Sequence, residues 1–439
     1  VKSGLSNRSA LHRTPWPTLV ASLAPILLGG WFLYVVVASY TGLPDRPVAL
    51  PEAGESELLL DDFVVFYAAG KHVPEVGGAV YDPSAISALE ADETGQDPGR
   101  VSVLPFYNPP SALLLFTPLG LLPLELAAAV WLIASALLAL ACLLALARRG
   151  GWSPDLALLP ALGICASLPL YQTLVHGQMT FLLLAGFCLY GAGVIHAGRD
   201  RSTIAGLLLL ALKPVFLPLP LLYLALRRQY ALLAAFAAVE LSLVVVAAIL
   251  FGTRLPLDYL SMSLDALGWD EVNGISTYGM FGWTGLWRGV LGPEARELQV
   301  ALTALCSIAT VAAFAWAFRR GDKPSLALCA MIPASLLISP HSYAQDLLLL
   351  VLPLLLQTEG RGSLARVALP LGAWFAAYFH FDTLAATGLG PASIALAVLT
   401  GFVLIEAIGA RLALREVRPA VRVPASLDTG LSSADAAGS

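Results

Sequence analysis

The chain has 439 residues, of which 58% are hydrophobic and 13% charged, with a formal net charge of -5. Soluble domains carry about 25% charged residues, so much of the charge needed for a water-facing surface is missing, which excludes a soluble enzyme. No basic stripe with interleaved aromatics occurs, which excludes nucleic acid as a partner.

The first apolar run, Pro17–Tyr40, follows Lys2, Arg8 and Arg13. It reads as an uncleaved signal anchor leading outward from a cytoplasmic N-terminus. Residues 41–109 form a first external loop, with Pro, Gly and acidic residues that hydrocarbon does not tolerate. Within it, Asp61–His72 sets Phe63, Phe66, Tyr67 and Gly70 on one face at helical spacing. That predicts an amphipathic helix lying on the outer leaflet. The chain re-enters at Asn108-Pro109-Pro110, and Pro118 and Pro123 divide the run to Ala147 into an outer piece and a spanning helix. Helices over Ser153–Thr173 and Gln178–Ala197 follow, joined outside at Leu174-Val175-His176-Gly177.

Arg199/Arg201 and Arg227/Arg228 both read as cytoplasmic under the positive-inside rule, yet a single apolar run separates them. Lys213-Pro214 lies at its midpoint, so two short arms meeting there satisfy both connections. Such breaks are tolerated where they line a polar cavity. A long helix over Tyr230–Phe251 leads to a second external loop, residues 252–297, and Leu298–Phe318 returns to Arg319/Arg320. A second short-armed hairpin joins Leu326–Ile338 to Leu347–Leu356 through Ser339-Pro340-His341-Ser342-Tyr343. Helices over Val367–Phe381 and Ala385–Ala410 complete the chain. The expectation is an all-α polytopic membrane protein with about twelve crossings of roughly 20 residues each. It forms one domain over residues 1–410, with both termini cytoplasmic and a disordered tail over residues 411–439. The five cysteines are isolated within apolar helices and read as packing residues.

The residues able to carry chemistry fall on one side of this topology. Asp62 at the membrane surface can serve as a general base for a sugar hydroxyl, and Asp61-Asp62 can equally cap a helix. Lys213 is costly at membrane depth unless it meets water, a carboxylate or a phosphate. A lipid phosphate is one partner, and a structural pair with Glu240 is the other. His341 and Asp346 lie at the second hairpin tip, which also reads as a polar turn capped by Ser339 and Ser342. His176-Gly177-Gln178 forms a further outer turn. In the second loop, Arg254 and Arg288 accompany Trp269, Trp283 and Trp287, suited to an interfacial belt or to stacking on a sugar.

In order, several stretches resemble glycosyltransferase family 87 within the GT-C superfamily. They are Asp62-Phe63-Val64-Val65-Phe66-Tyr67 with Val80-Tyr81-Asp82-Pro83; Phe106-Tyr107-Asn108-Pro109-Pro110; His176-Gly177-Gln178; Leu212-Lys213-Pro214; and Ser339-Pro340-His341-Ser342-Tyr343 with Asp346. The resemblance implies a GT-C-like fold and an inverting transfer of a hexose, usually mannose. The donor would be a polyprenyl-phosphate-linked sugar, and the acceptor a glycolipid or glycan on the non-cytoplasmic face of a bacterial plasma membrane. It assigns the general base to Asp62. Donor phosphate binding would fall to Lys213, His341 and Arg254 or Arg288. Asp61, Tyr67, Asn108, His176, Gln178, Ser339, Tyr343 and Asp346 would contact substrate. No metal or cofactor is expected, because the leaving group is a lipid monophosphate. A transporter or flippase of a lipid-linked substrate would share the broken helices and midplane charges. The polar turns gathered on one side favour the enzyme.

Overall fold

The computed structural model describes residues 60–95, 105–150, 168–196, 200–265, 280–319, 324–358 and 364–417. The signal anchor and the tail beyond Val417 lie outside these residues, as does most of the helix expected over Ser153–Thr173. Among the described residues all regular structure is helical.

Asp61–Val76 forms α1, a 3-10 segment follows at Gly77–Tyr81, and Pro83–Thr94 forms α2. Asp82 starts α2 by accepting hydrogen bonds from the amides of Ser84 and Ala85, both at 2.9 Å, with Pro83 in the first turn. That is the N-cap expected of Asp followed by Pro. α1 is not the one-sided surface helix predicted. Phe63 through Gly70 are buried on every side, against α2, α3 (Pro110–Phe116) and α4 (Leu124–Gly150). Small residues permit this: a Cβ on Gly70 would lie 2.5 Å from the Phe116 carbonyl carbon. A periodicity count weighs the aromatic face and misses that Ala68, Ala69 and Gly70 make the other face equally packable.

Leu168–Val175 (α5) and Thr180–Ile195 (α6) meet at a bend of 119°. Asp200–Ala211 (α7) lies along α6. The apolar run breaks at Lys213 into a 3-10 turn, Pro214–Phe216, before Pro218–Leu226 (α8). Proline causes the break: Pro214 and Pro218 each lack the amide needed to continue a helix. Tyr230–Phe251 (α9) has the predicted bounds and leads through Gly252 to Leu255–Asp265 (α10). Trp283–Leu291 (α11) and Arg296–Phe318 (α12) follow.

The second hairpin is present, with Pro324–Ile338 (α13) packed beside Val351–Thr358 (α14). Its return arm begins as 3-10 helix over Ala344–Leu350. The hairpin forms the centre of the bundle: residues 327–337 and 344–352 are buried, enclosed by α6, α12, Leu364–Tyr378 (α15) and Pro391–Val417 (α17). Arms wrapped by protein need not match the bilayer thickness. α17, preceded by His380–Thr387 (α16), continues to Val417, into the stretch expected as disordered tail.

The expected dozen crossings are not matched by helices of spanning length. Among the described residues four helices are long and apolar enough to cross a membrane, or five if bent α5–α6 counts as one span. Four further apolar helical segments are shorter, including the arms at Pro214–Leu226, Pro324–Ile338 and Ala344–Leu356. The chain is a helical membrane protein whose central segments are short and proline-broken.

Candidate active site

The N-terminus of α1 is tied to the bend between α5 and α6. The Leu60 amide donates to the Val175 carbonyl at 2.6 Å, and the Phe63 amide to the His176 carbonyl at 3.2 Å. Leu60, in the left-handed region (φ 72°), occupies the cap position without a side-chain bond, and Asp61 Oδ1 accepts from the Asp62 amide of the first turn at 2.9 Å. Gly177 has φ +64°, and a Cβ there would lie 2.5 Å from Phe63 Cβ. Only glycine supplies both the backbone angle and the space. The Trp131 indole N–H donates to the Gly177 carbonyl at 2.8 Å and fixes the turn from α4.

This junction sets both carboxylates beside the α5–α6 bend. Asp61 Oδ1 lies 2.7 Å from His176 Nδ1, and His176 Nε2 lies 2.6 Å from the Gln172 amide oxygen. Burial lowers the His176 pKa, but the hydrogen bond and charge of Asp61, with Asp62, carry it above the ordinary value. Two acceptors on one ring suit the imidazolium form. Asp62 accepts a hydrogen bond from the Gln178 side-chain amide. Burial and the neighbouring Asp61 charge push Asp62 from 3.8 up to about 7, against the lowering pull of His176, Gln178 and Lys213. A carboxylate titrating near neutrality is suited to accept a proton.

The Lys213 turn opens on the same region, since its charge acts on Asp62. The ammonium pairs with both oxygens of Asp346, at 2.9 and 2.8 Å. The structural pair with Glu240, the alternative to a lipid phosphate, is not formed: Glu240 accepts from the Ser111 hydroxyl at 2.5 Å. Asp346 is fully buried and Lys213 is 19% exposed. Asp346 also accepts from the Tyr343 amide at 3.3 Å, which starts the 3-10 arm. Burial, then the charge of Asp62, then Tyr107 and Asp346 raise the Tyr343 pKa. Its hydroxyl therefore stays protonated.

Asn108 holds the lysine turn from behind, its amide donating to the Leu212 carbonyl at 2.7 Å while its own carbonyl accepts from the Tyr81 hydroxyl at 3.1 Å. The His341 ring stacks on Tyr107 at 5.4 Å with 27° between planes. The Phe281 amide donates to the Ser342 carbonyl at 2.8 Å. A Cβ on Gly282 would lie 2.7 Å from the Ser339 carbonyl oxygen, so the strand of chain before α11 lies flush on the hairpin tip.

The predicted residues divide into two layers. Asp61, Asp62, His176, Gln178, Lys213 and Tyr343 make up one electrostatically linked cluster, with His341 beside Tyr107 at its margin. Behind them, Asn108, Ser339 and Asp346 are buried and bonded within the protein, so their visible role is to shape the turns. Tyr67 is also a packing anchor, 2% exposed, with its hydroxyl donating to the Leu122 carbonyl at 2.8 Å. Arg254 is exposed at the corner between α9 and α10. Arg288 is buried in α11, with Nη1 3.4 Å from Gln299 Oε1.

The sequence reading overlooked Gln172, Trp131 and Glu90, and gave Tyr107 no role. Only Tyr107 carried a signal, lying beside Asn108. Glu90 is 2% exposed, with an Oε1 that has no hydrogen-bond partner among the described residues. Burial, with Asp62 and Asp61, raises it to about 8.

Among the described residues, two groups have the composition of a cation site. Ligand atoms of Asp61, Asp62 and His176 lie within 4.8 Å of one another, as do those of His72, Asp92 and Glu93. In the first, Asp61 already binds His176 and Asp62 already accepts from Gln178. In the second, Glu93 already holds Lys71 and His72, each at 2.7 Å. An ion at either place would have to displace those bonds.

No curated protein and no solved structure matches the chain. Residues 106–340 match the model of glycosyltransferase family 87. That stretch contains Asn108, His176, Gln178, Lys213 and Ser339, while Asp62 and Tyr343 flank it. With more than half its length matched and its turns converging on one carboxylate, the chain belongs to glycosyltransferase family 87 and is a membrane glycosyltransferase.

Proposed function

We propose that the protein moves a hexose, mannose in the first instance, from a polyprenyl-phosphate carrier to a glycolipid or glycan acceptor on the non-cytoplasmic face. The observation that carries this reading is Asp62, a carboxylate raised to about 7 and set between the His176 turn and the Lys213 turn. Its protonation midpoint suits a base that takes a hydroxyl proton near neutral pH.

In this mechanism Asp62 accepts the proton of the acceptor hydroxyl as the oxygen attacks the anomeric carbon. The bond from that carbon to the phosphate oxygen breaks on the opposite face, which inverts the configuration. The bonding pair leaves with the lipid phosphate. Lys213 has three ammonium protons, and Asp346 engages it through two oxygens. A remaining donor can meet the phosphate as its charge grows, and His341, held by the Tyr107 ring, supplies a second. Such pre-positioned donors stabilise developing charge more than water does. His176, Gln178 and Lys213 favour the ionised form of Asp62, while burial and the Asp61 charge favour its protonated form, so proton acceptance and ionisation remain balanced.

The test is incubation of purified protein in liposomes with radiolabelled polyprenyl-phosphate-mannose and a lipid extract from a related envelope. Labelled glycolipid from the wild type, and none from Asp62→Asn, is expected. Movement of the carrier across the bilayer without any labelled product would discard the transferase mechanism.

A further inference from the structure

α10 is apolar on two opposite sides. Leu255 and Met262 are buried, at 0% and 4% exposure, against the Gly77–Tyr81 segment and α9. Leu257, Leu260 and Leu264, at spacings of three and four, face outward at 65%, 53% and 62%. Ser261, between them, is also exposed. At 11 residues the helix is about 16 Å long, too short for a hydrocarbon core of about 30 Å. The spanning helix α9 that precedes it is itself widely exposed, with Leu241, Ile249 and Leu250 at 63%, 73% and 60%. Between the two helices, Gly252 turns the chain at φ +125° and leaves Arg254 exposed at the corner.

We propose that α10 is an interfacial helix of the bilayer. Leu257, Leu260 and Leu264 sink among acyl chains, and Arg254 sits at the level of lipid headgroup phosphates. A helix lying in the plane of the membrane buries one apolar face there, and a long basic side chain at its start reaches the anionic layer. Continuity with α9 and the placement of that single cation select lipid as the occupant. A second copy of the chain is the alternative.

The helix would also seat the catalytic cluster at the membrane surface. Tyr259 of α10 packs on Tyr81 at 5.5 Å between ring centroids. Tyr81 donates to the Asn108 carbonyl, and Asn108 holds the carbonyl of Leu212 beside Lys213. The contact is flush: a Cβ on Gly78 would fall 1.8 Å from an Asp258 carboxylate oxygen. Embedding α10 thus fixes the depth of the lysine turn relative to lipid-borne substrates.

The test uses the full chain with its five native cysteines replaced, one new cysteine in each variant (Leu257→Cys, Leu260→Cys or Leu264→Cys) and a nitroxide label. Each is reconstituted in phosphatidylcholine–phosphatidylglycerol vesicles and relaxed by oxygen, which partitions into lipid, or by a water-soluble nickel chelate. Oxygen should dominate at all three positions, as at Ile249→Cys, and the nickel chelate at Asp92→Cys. Nickel dominance at the three leucines overturns the proposal. Exclusion of both reagents also overturns it, since protein, either a second copy or residues 266–279, would then cover the face. For the unaltered protein, a photoreactive phosphatidylcholine should label the peptide spanning residues 255–264, and its failure to do so counts equally against the helix being embedded. No transfer is measured, so the result is independent of the proposed reaction.

Discussion

Lys213 and Asp346, separated by 133 positions in sequence, form a two-oxygen ion pair at 2.9 and 2.8 Å that joins the two proline-broken turns. The carboxylate is fully buried. Removing the ammonium alone would leave that charge uncompensated, a loss of about 3–5 kcal/mol for buried pairs. Lys213→Met should therefore lower the unfolding temperature markedly in detergent. Lys213→Met combined with Asp346→Asn should recover most of the stability and none of the transfer. A single variant as stable as the wild type would show that the pair does not hold the turns together.

Asp62 should separate activity from stability. Its folded pKa of about 7 lies above the value of 3.8 for a free side chain. The folded state therefore binds the proton more tightly, and stability declines as pH rises from about 4 to about 7. Asp62→Asn removes that ionisation. At pH 8 it should unfold at or above the wild-type temperature while transfer drops by about 10²–10⁴-fold. Calorimetry and a transfer assay on one preparation measure both. A variant that lost activity only by unfolding would contradict the assignment.

With Asp62 as the proposed base, working deprotonated, the wild-type rate should rise with pH through about 7. Gln178 lowers the Asp62 pKa by donating to its carboxylate. Gln178→Leu should shift the ascending limb of kcat/KM toward higher pH and leave activity at the plateau less affected. An unmoved limb would mean that another group governs it.

Gly177→Ala should disturb the site through the backbone. It puts a side chain at φ +64° with its Cβ 2.5 Å from that of Phe63. Strain of this kind costs about 1–3 kcal/mol, and relief by displacing α1 would move Asp62. Loss of both thermal stability and transfer is expected, and normal behaviour in both would refute the rigid junction.

The Tyr107–His341 stack predicts a graded effect. Ring pairs contribute about 0.5–1.5 kcal/mol, so Tyr107→Leu should weaken donor use several-fold, read as a raised KM for the carrier. Tyr107→Phe preserves the ring and should stay near wild type. Equal losses in both variants would point to the hydroxyl instead of the stack.

Much of the site was legible because its residues are anomalous for their surroundings. A lysine or a paired aspartate next to apolar helices costs free energy unless function or pairing offsets it, so Lys213, Asp61-Asp62 and the Ser339–Asp346 turn are conspicuous in a sequence with 13% charge. Their roles were less legible. Asn108, Ser339 and Tyr67 are the same residue types whether they face substrate or bind a backbone carbonyl, and in this fold they shape turns. Gln172 and Trp131 lie in apolar helices with no local sign that they hold His176 and Gly177.

By itself the sequence determined the helical membrane class, the bounds of α9 and the breaks at Lys213-Pro214 and Ser339–Tyr343. These follow from hydropathy and from proline's missing amide, which act locally. Only the tertiary structure decided that α1 is enclosed, that Lys213 pairs with Asp346 and not Glu240, and that α10 presents the outward leucine row. Each of these depends on which face meets which neighbour. For α1, close packing at Gly70 and Gly177 sets that choice, and spacing along the chain does not encode it.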